Sequence, residues 1–320
     1  MTGYEHPTVV VVGAGAMGCV FGGLLAEGGL DVTLIDIWQE HVEAINRDGL
    51  RLSGHGGERF IPLRAITDAT AVAPPDVVFF QCKATANAAA AESAKPLFAN
   101  PATVAISFQN GLGNEEEIGA IIGADAMIAG LTAQAAILEG PGKVRNFAAL
   151  PSYIGEIAGG LSPRVEQLAA AFSRAGLETH ASAEIMRQKW SKLLVNTAFA
   201  GTSGITGLTL GEVIQHGQLS VVARRAMEEA AAVAAASGVA LDAEARRVVF
   251  DQIMAGAARN NKASVYADLS AGRRSEVDYI YGSVIRLASR HDVPVPTLGV
   301  LFGLIKGREQ AMARERASGS

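Results

Sequence analysis

A chain of 320 residues, 49% of them hydrophobic, is long enough for two domains with sizeable cores. Its net charge of −5, with no dense basic patch, excludes a nucleic-acid surface or an anionic membrane as partner. No apolar run approaches the roughly 18 residues a membrane span requires. The two cysteines and six histidines fall without ligand spacing, so no metal site is expected.

Residues 8–12 form an apolar run with no basic stretch before it, ending in glycines, which marks a strand rather than a secretion signal; a cytoplasmic protein is expected. Gly13-Ala14-Gly15-Ala16-Met17-Gly18 follows at once. A strand feeding a Gly-x-Gly-x-x-Gly turn and then a helix places a dinucleotide's pyrophosphate on the helix N-terminus. The first glycine permits the tight turn, the second lets backbone approach phosphate, and the third lets helix pack close to strand. Gly28-Gly29 closes that helix, residues 31–35 form a second strand, and Asp36 stands at its end, where a carboxylate accepts from an adenosine ribose. The competing reading is a glycine turn in another βαβ unit with Asp36 as a helix cap. The common register of strand, turn, helix, second strand and acid argues against it.

Residues 76–81 and 103–108 read as further buried strands, spaced by alanine-rich helical stretches such as 86–94, which indicates a parallel sheet covered on both faces. Strands at 126–132 and 151–155, a turn at 140–142 and a helix over 164–175 complete a first domain of residues 1–182. From residue 183 helical periodicity takes over, so a second domain over 183–320 is expected. It opens with a long helix, 183–199, then an irregular patch at Gly201, Gly204 and Gly207, then four or so further helices, with 219–235 and 244–258 the clearest. A frayed tail is expected over 317–320. The fold class is α/β: an N-terminal Rossmann-type doubly wound parallel sheet followed by a C-terminal all-helical domain. Directly packed domains leave a cleft in which ligands tend to sit. An apolar helical face is compatible with burial against its own domain or with a homodimer.

A nucleotide-binding domain followed by a helical one suggests a dehydrogenase, and reducing a ketone requires a proton donor for the developing alkoxide. Lys192 and Asn196, four apart, share a helix face. Flanked by Trp190, Leu193, Leu194 and Val195, a partly desolvated Lys192 would have its pKa lowered toward the working pH. Helix statistics alone favour a surface lysine there.

The chain resembles the ketopantoate reductases (2-dehydropantoate 2-reductases) over nearly its whole length. The resemblance is carried by the glycine turn, Cys82-Lys83, Gln109-Asn110-Gly111-Leu112-Gly113-Asn114, residues 189–196 and Ser275-Glu276-Val277-Asp278-Tyr279. It implies Lys192 as general acid, with Glu276 beside it near the nicotinamide ribose. It further implies Asn110 at the nicotinamide and the substrate, Lys83 near the cofactor, and Asn196 on the substrate's oxygen functions. Ser264, with Asn261 one turn before it, would receive the substrate carboxylate. The implied reaction is hydride transfer from NAD(P)H to a small branched 2-oxo acid, 2-dehydropantoate giving (R)-pantoate. Read without the resemblance, Asn110 is a turn residue in Asn-Gly, Glu276 a partner of Arg273 or Arg274, and Lys83 a solvated helix start.

Three positions depart from the family pattern. Ala200 stands where many members carry a second asparagine, one turn after Asn196, with Thr202 and Ser203 nearby as substitutes. Tyr281 stands where an asparagine commonly follows, and its ring either reshapes the pocket or packs between helices. Residues 36–40 contain no basic side chain where well-studied members place an arginine for a 2′-phosphate, so electrostatics favours NADH. Two alternatives stand beside the main reading. One is the same mechanism on another branched or aromatic 2-oxo acid; the other is a non-catalytic dinucleotide sensor, against which the joint presence of Lys192, Asn196 and Glu276 argues.

Overall fold

A computed structural model of the chain describes residues 4–318. They divide into two compact units, one running to Gln109 and resuming over Asn114–Met186, the other taking Asn110–Gly113 and the chain from Arg187 onward. Ile185, near the end of the first unit's second segment, is fully buried against Gly155 in the same unit, where an added Cβ would lie 2.7 Å from the isoleucine Cβ.

The first unit contains β1 (Val9–Val12), α1 (Ala16–Glu27), β2 (Val32–Ile35), α2 (Gln39–Asp48), β3 (Leu50–Gly54), β4 (Arg59–Ile61), β5 (Arg64–Ile66), β6 (Val77–Phe80), α3 (Asn87–Ala94), β7 (Val104–Ser107), α4 (Asn114–Ile122), β8 (Met127–Thr132), β9 (Ala135–Gly140), β10 (Lys143–Ala148), β11 (Ser152–Gly155), α5 (Pro163–Arg174) and β12 (Thr179–Ala181). The main sheet has the order β12-β11-β8-β7-β6-β1-β2-β5. From β5 to β8 the strands are parallel, in the doubly wound dinucleotide-binding order, which reverses between β1 and β6. Every residue of β1, β2, β6 and β7 is buried, as expected of strands covered on both faces.

Two features differ from the sequence expectation. First, β11 runs antiparallel to β8, so the sheet is mixed at that edge. Second, residues 50–61 and 135–148 form a separate four-stranded sheet of order β4-β3-β10-β9. The chain leaves β8 into this second sheet and comes back from the opposite direction, which reverses β11; the α5 crossover then adds β12 parallel to β11, so both of these strands run against the rest of the sheet. The small sheet buries Leu50, Leu52, Ile61 and Val144.

Helix α1 lies between the two sheets and shows why both Gly22 and Gly23 are there. A Cβ on Gly22 would come within 2.5 Å of Leu34 in the main sheet, and one on Gly23 within 2.9 Å of Leu50 in the small sheet. Buried on opposite sides, the helix reads as apolar all round rather than as an amphipathic stripe.

The second unit holds α6 (Ile185–Phe199), whose first residues belong to the first unit, then α7 (Thr202–Thr206), α8 (Leu210–Gln215), α9 (Gly217–Ala236), α10 (Ala243–Ala255), α11 (Ser264–Ser270), α12 (Ser283–Arg290) and α13 (Pro296–Ser318). Among the described residues seven helices thus follow the first, not four, and the glycine-rich patch after residue 200 contains α7, closed by Gly207 in the left-handed conformation. The carboxylate of Glu229 on α9 accepts from the backbone N–H groups of Thr297 and Leu298, both at 2.9 Å, and so satisfies the otherwise orphaned donors that open α13. Ala317 and Ser318 are helical; the rest of the expected tail lies outside the described residues. No helix among the described residues is long and apolar enough to cross a membrane.

The glycine turn is fixed by sterics. Gly13 has φ +97°, and a Cβ there would lie 2.3 Å from the Cys82 nitrogen. A Cβ on Gly18 would lie 2.0 Å from the Gly13 carbonyl oxygen, whereas one on Gly15 would meet nothing within 4 Å. Gly13→Ala and Gly18→Ala are therefore expected to destabilise the fold by about 2 kcal/mol or more. Gly15→Ala should stay within about 0.5 kcal/mol of the parent, with all three compared by denaturant titration.

Candidate active site

One group of candidate residues lies in the first unit, at the turn between β1 and α1. Gly15 takes the N-cap position of α1 without a side-chain cap, and the first turn carries no acidic residue. Open backbone donors at the positive end of a twelve-residue helix, facing space above Gly15, fit the pyrophosphate of a dinucleotide. Ala16, Met17 and Gly18 form that first turn. Gly13 N–H donates to Ile35 O at 2.8 Å, and both Gln81 N–H and Cys82 N–H donate to Val12 O, so the turn is pinned to the ends of β2 and β6.

At the end of β2, Asp36 Oδ1 accepts from the Trp38 N–H at 2.9 Å, an Asx turn that leads the chain into α2. The carboxylate thus organises the loop before α2 rather than capping the helix, whose N-cap position is Trp38. The Trp38 ring stacks on His41, centroids 5.4 Å apart. His41 is fully buried; its Nδ1 accepts from Gly142 N–H at 2.9 Å, and its Nε2 lies 3.4 Å from Cys19 Sγ. Burial holds the imidazole below its ordinary pKa, opposed by the nearby Asp36 charge. Of the two cysteines, Cys19 is buried and Cys82 half-buried.

Lys83, exposed, begins the 3-10 turn that follows β6. The strand ends around it are joined by buried amides. Gln109 Nε2 donates to Cys82 O and to Asn87 Oδ1, each at 2.7 Å, and its Oε1 accepts from Ser107 at 2.9 Å. Asn87 Nδ2 donates in turn to Asn114 Oδ1 at 2.9 Å. Sequence reasoning gives Gln109 and Asn87 no role. A polar residue just past a buried strand end is the one signal that points to them.

A second group of candidate residues belongs wholly to the helical unit. Lys189, Lys192 and Asn196 lie three and four residues apart on one face of α6. Lys192 Nζ donates to Asn110 Oδ1 at 2.9 Å. Asn110 is carried there by the Asn110–Gly113 loop, which rests on the backbone of Tyr279: Leu112 N–H donates to Tyr279 O at 3.0 Å. Gly111, at φ +85°, permits that approach, since a Cβ would sit 2.3 Å from the same oxygen. Burial lowers the Lys192 pKa to about 8; the like charge of Lys189 lowers it too, and the opposite charge of Glu276 raises it. Lys189, itself buried, is a contributor that sequence reasoning misses.

Glu276 is buried at 8% exposure in the segment before α12. Its neighbours are held by α13. Glu309 Oε1 accepts from the Ser275 N–H and hydroxyl, both at 2.8 Å, and Lys306 pairs with Asp278 at 2.9 Å. Arg273 pairs with Asp268 and Arg274 with Asp278, so each arginine flanking Glu276 has an aspartate partner. Asn196 is half-buried, one turn beyond Lys192, whereas Asn261 and Ser264 are exposed where the chain enters α11. Lys192, Lys189, Asn110 and Glu276 are thus joined by a hydrogen bond or by charge; among the described residues no such link ties Asn261 or Ser264 to them.

The two residues that depart from the family pattern are also placed. Ala200 is buried, and the hydroxyls beside it are engaged with backbone: Thr202 donates to Ala198 O at 2.9 Å and Ser203 to Leu208 O at 2.7 Å. Neither hydroxyl stands in for the missing amide. Tyr281 is fully buried between helical segments and bonds to Thr197 and Gly201.

Comparison with known proteins matches residues 9–159 to the family model described as ketopantoate reductase PanE/ApbA, and residues 184–309 to its C-terminal counterpart. The chain is 33% identical to the 2-dehydropantoate 2-reductase of Halobacterium salinarum over 301 residues, covering 93% of this chain and 97% of that one. It is 33% identical to the enzyme of the same name from Pyrococcus horikoshii over 304 residues, covering 94% and 97%. Among solved structures it superposes on D-mandelate dehydrogenase with NADH and anilino(oxo)acetate at TM-score 0.89 and 26% identity, covering 96% and 99%. A PanE/ApbA family ketopantoate reductase from Ralstonia eutropha gives TM-score 0.87 at 32% identity, with the same coverage.

The charges around Lys192 make opposite predictions for its neighbours. Acylation of Lys192 by a small amine-reactive reagent, followed by mass spectrometry across pH, should show a midpoint near 8 in the parent. Lys189→Met should move that midpoint up and Glu276→Gln should move it down. Equal midpoints in all three would mean that these charges do not reach the ammonium.

Proposed function

The chain belongs to the ketopantoate reductase family, and from that premise we propose that it reduces 2-dehydropantoate to (R)-pantoate, with Lys192 as the general acid. At the coarser level it is an NAD(P)-dependent 2-hydroxyacid dehydrogenase. The observation that carries the proposal is the desolvated Lys192 ammonium, hydrogen-bonded to Asn110 and brought to a pKa of about 8. A dinucleotide bound over Gly13–Gly18 supplies the hydride.

Lys192 Nζ gives its proton to the oxygen that gains negative charge as the keto carbon is reduced. A donor whose pKa lies near the working pH combines a populated protonated form with a favourable transfer. Glu276 keeps the ammonium protonated at neutral pH by its opposite charge, and Lys189 lowers the cost of releasing the proton. Asn110 presents its Oδ1 to Lys192 and so fixes the direction of the ammonium toward the substrate's carbonyl oxygen. Asn196 holds the remaining oxygen functions, and Asn261 with Ser264 receives the carboxylate through hydrogen bonds from small uncharged donors.

On the cofactor side, Asp36 and the absence of basic residues over 36–40 support NADH as the preferred donor. A carboxylate is repelled by a 2′-phosphate and accepts from a free 2′-hydroxyl. Lys83 lies past β6, at the strand edge where the sheet order reverses, a position suited to the cofactor's polar groups. The likeness to an NADH-bound D-mandelate dehydrogenase supports the same reading.

A second reading is favoured by Ala200. With no amide at that turn, and with Thr202 and Ser203 bonded to backbone, a donor for a hydroxylated side chain is missing there, which favours a 2-oxo acid with an apolar or aromatic side chain.

Steady-state assays with NADH or NADPH and a panel of 2-oxo acids test these statements. The expected result is turnover of 2-dehydropantoate, with NADH preferred by ~10-fold or more, a difference of ~1.4 kcal/mol. A higher kcat/KM for an aryl 2-oxo acid would select the second reading. No oxidation with any acid, despite cofactor binding, would sink the enzyme assignment. Lys192→Ala should reduce kcat by ~10²–10⁴-fold with cofactor affinity retained. Because the acid acts protonated, kcat for reduction should be level at lower pH and fall as pH rises through about 8.

A further inference from the structure

We propose that Tyr281 is a positioning residue that sets the register of Lys192 and Asn196 on α6 against Glu276, by inserting its hydroxyl into the backbone ladder where α6 ends. The inference rests on the reading of Lys192 as the acid.

In an uninterrupted helix the Gly201 N–H would donate to the Thr197 carbonyl four residues back. Here the Tyr281 hydroxyl stands between them, accepting from Gly201 N–H at 2.6 Å and donating to Thr197 O at 2.9 Å. The preceding rung is intact, with Ala200 N–H donating to Asn196 O at 2.7 Å. The insertion therefore falls one residue beyond the turn that begins at Asn196, and it separates α6 from α7. A group inserted into the i→i−4 ladder is a recognised cause of a helix break.

The other end of the link lies five residues beyond Glu276. Tyr281 sits in a π-type turn, Asp278–Gly282, which continues from the Glu276 carbonyl; that oxygen accepts from Tyr279 N–H at 3.0 Å and Ile280 N–H at 3.1 Å. Widened turns of this kind rotate the following side chains relative to a regular helix. One phenol thus ties the helix that bears the acid to the segment that bears the carboxylate. Its ring is fully buried, so it does not itself reach solvent or substrate.

Gly201 is matched to this arrangement. Its backbone is ordinary right-handed helix, so the glycine is not demanded by conformation, yet a Cβ there would lie 2.9 Å from both the Tyr281 hydroxyl and a Leu301 methyl. Leaving out that methyl group is what lets the phenol approach. The charged and titratable groups around the Lys192 ammonium are Lys189 on its own helix and Glu276, with Asn110 as hydrogen-bond partner from the loop on Tyr279.

The test compares Tyr281→Phe, which deletes only the hydroxyl, with Gly201→Ala, which displaces it. Ser152→Ala serves as a control, since it removes a comparably buried hydroxyl in the first unit. Each is assayed as the intact enzyme, well below its unfolding midpoint. The expected result for both helix-junction variants is a kcat lowered by ~10-fold with cofactor KM within ~2-fold, equivalent to ~1.4 kcal/mol at the transition state. The Lys192 acylation midpoint should also rise from about 8 toward the ordinary lysine range, because a loosened junction admits water to the ammonium. Ser152→Ala should lose stability without moving either quantity. If the two junction variants lose stability but keep the parent's kcat and midpoint, Tyr281 is structural only and the proposal falls. The acylation readout does not depend on turnover. A midpoint that moves in Tyr281→Phe while Lys192→Ala remains active would keep the positioning role and discard the acid assignment.

Discussion

The helical unit is organised around a single constraint, the ammonium group of the half-buried Lys192. Desolvation is the largest influence on Lys192 and brings its pKa down to about 8. Burial disfavours the charged form, and partners that accept from it or oppose its charge offset that cost. The nearby elements supply them. Asn110 accepts from the ammonium, Glu276 offers the opposite charge, and Lys189 keeps that charge from fixing the proton too firmly. Each partner is itself supported, since the Asn110 loop rests on Tyr279 and the Glu276 segment is held by Glu309 and Lys306 of α13. The 23-residue α13 is anchored in turn by Glu229, so rigidity reaches the site through helices that carry no candidate ligand-binding residue.

The first unit answers a different demand, close approach of backbone to backbone. The turn after β1 works only if Gly13 lies against Cys82 and Gly18 against the Gly13 carbonyl, two approaches that leave no room for a side chain. Gly15 is different because its surroundings are open, so the fold does not demand its lack of a side chain. Behind this turn, the buried amides of Gln109, Asn87 and Asn114 tie together the ends of β6 and β7 and the start of α4. Such a network is most valuable when every member is satisfied, because a half-satisfied amide in that setting would cost more than an apolar residue.

Much of this is legible in the residues. The buried strands β1 and β6 are short continuous runs of β-branched and aromatic residues, a composition and length that read as strand rather than helix. The site helix is legible too, because Lys192 and Asn196 fall on one face. What stays hidden is whatever depends on partners distant in sequence. The small sheet is built from strands of three to six residues whose pairing joins residue 51 to residue 143, and no local pattern announces that. The reversal of β11 follows from the same excursion. Lys189 and Gln109 stay hidden because each is polar and buried, which composition and periodicity assign to the surface. Asn261 and Ser264 rest on family resemblance alone, and the fold leaves both exposed at the start of α11.

The departures at positions 200 and 281 make physical sense as a pair. A regular helix through residue 201 would need no outside hydroxyl, and a short polar side chain at 281 would not span from the π-type turn to the Thr197 carbonyl as the phenol does. Once the phenol fills that junction, the rung it interrupts lies immediately after Ala200, whose own N–H remains bonded to Asn196. The side chain at 200 is then buried beside a fully packed ring, with Gly201 already stripped of its Cβ to admit the hydroxyl. A larger amide at that position would have to find both volume and a hydrogen-bond partner where the neighbouring hydroxyls of Thr202 and Ser203 are already bonded to backbone. Alanine satisfies both conditions by making no polar demand. A small apolar side chain at 200 thus goes with a helix junction held by a buried phenol, on the helix that carries Lys192.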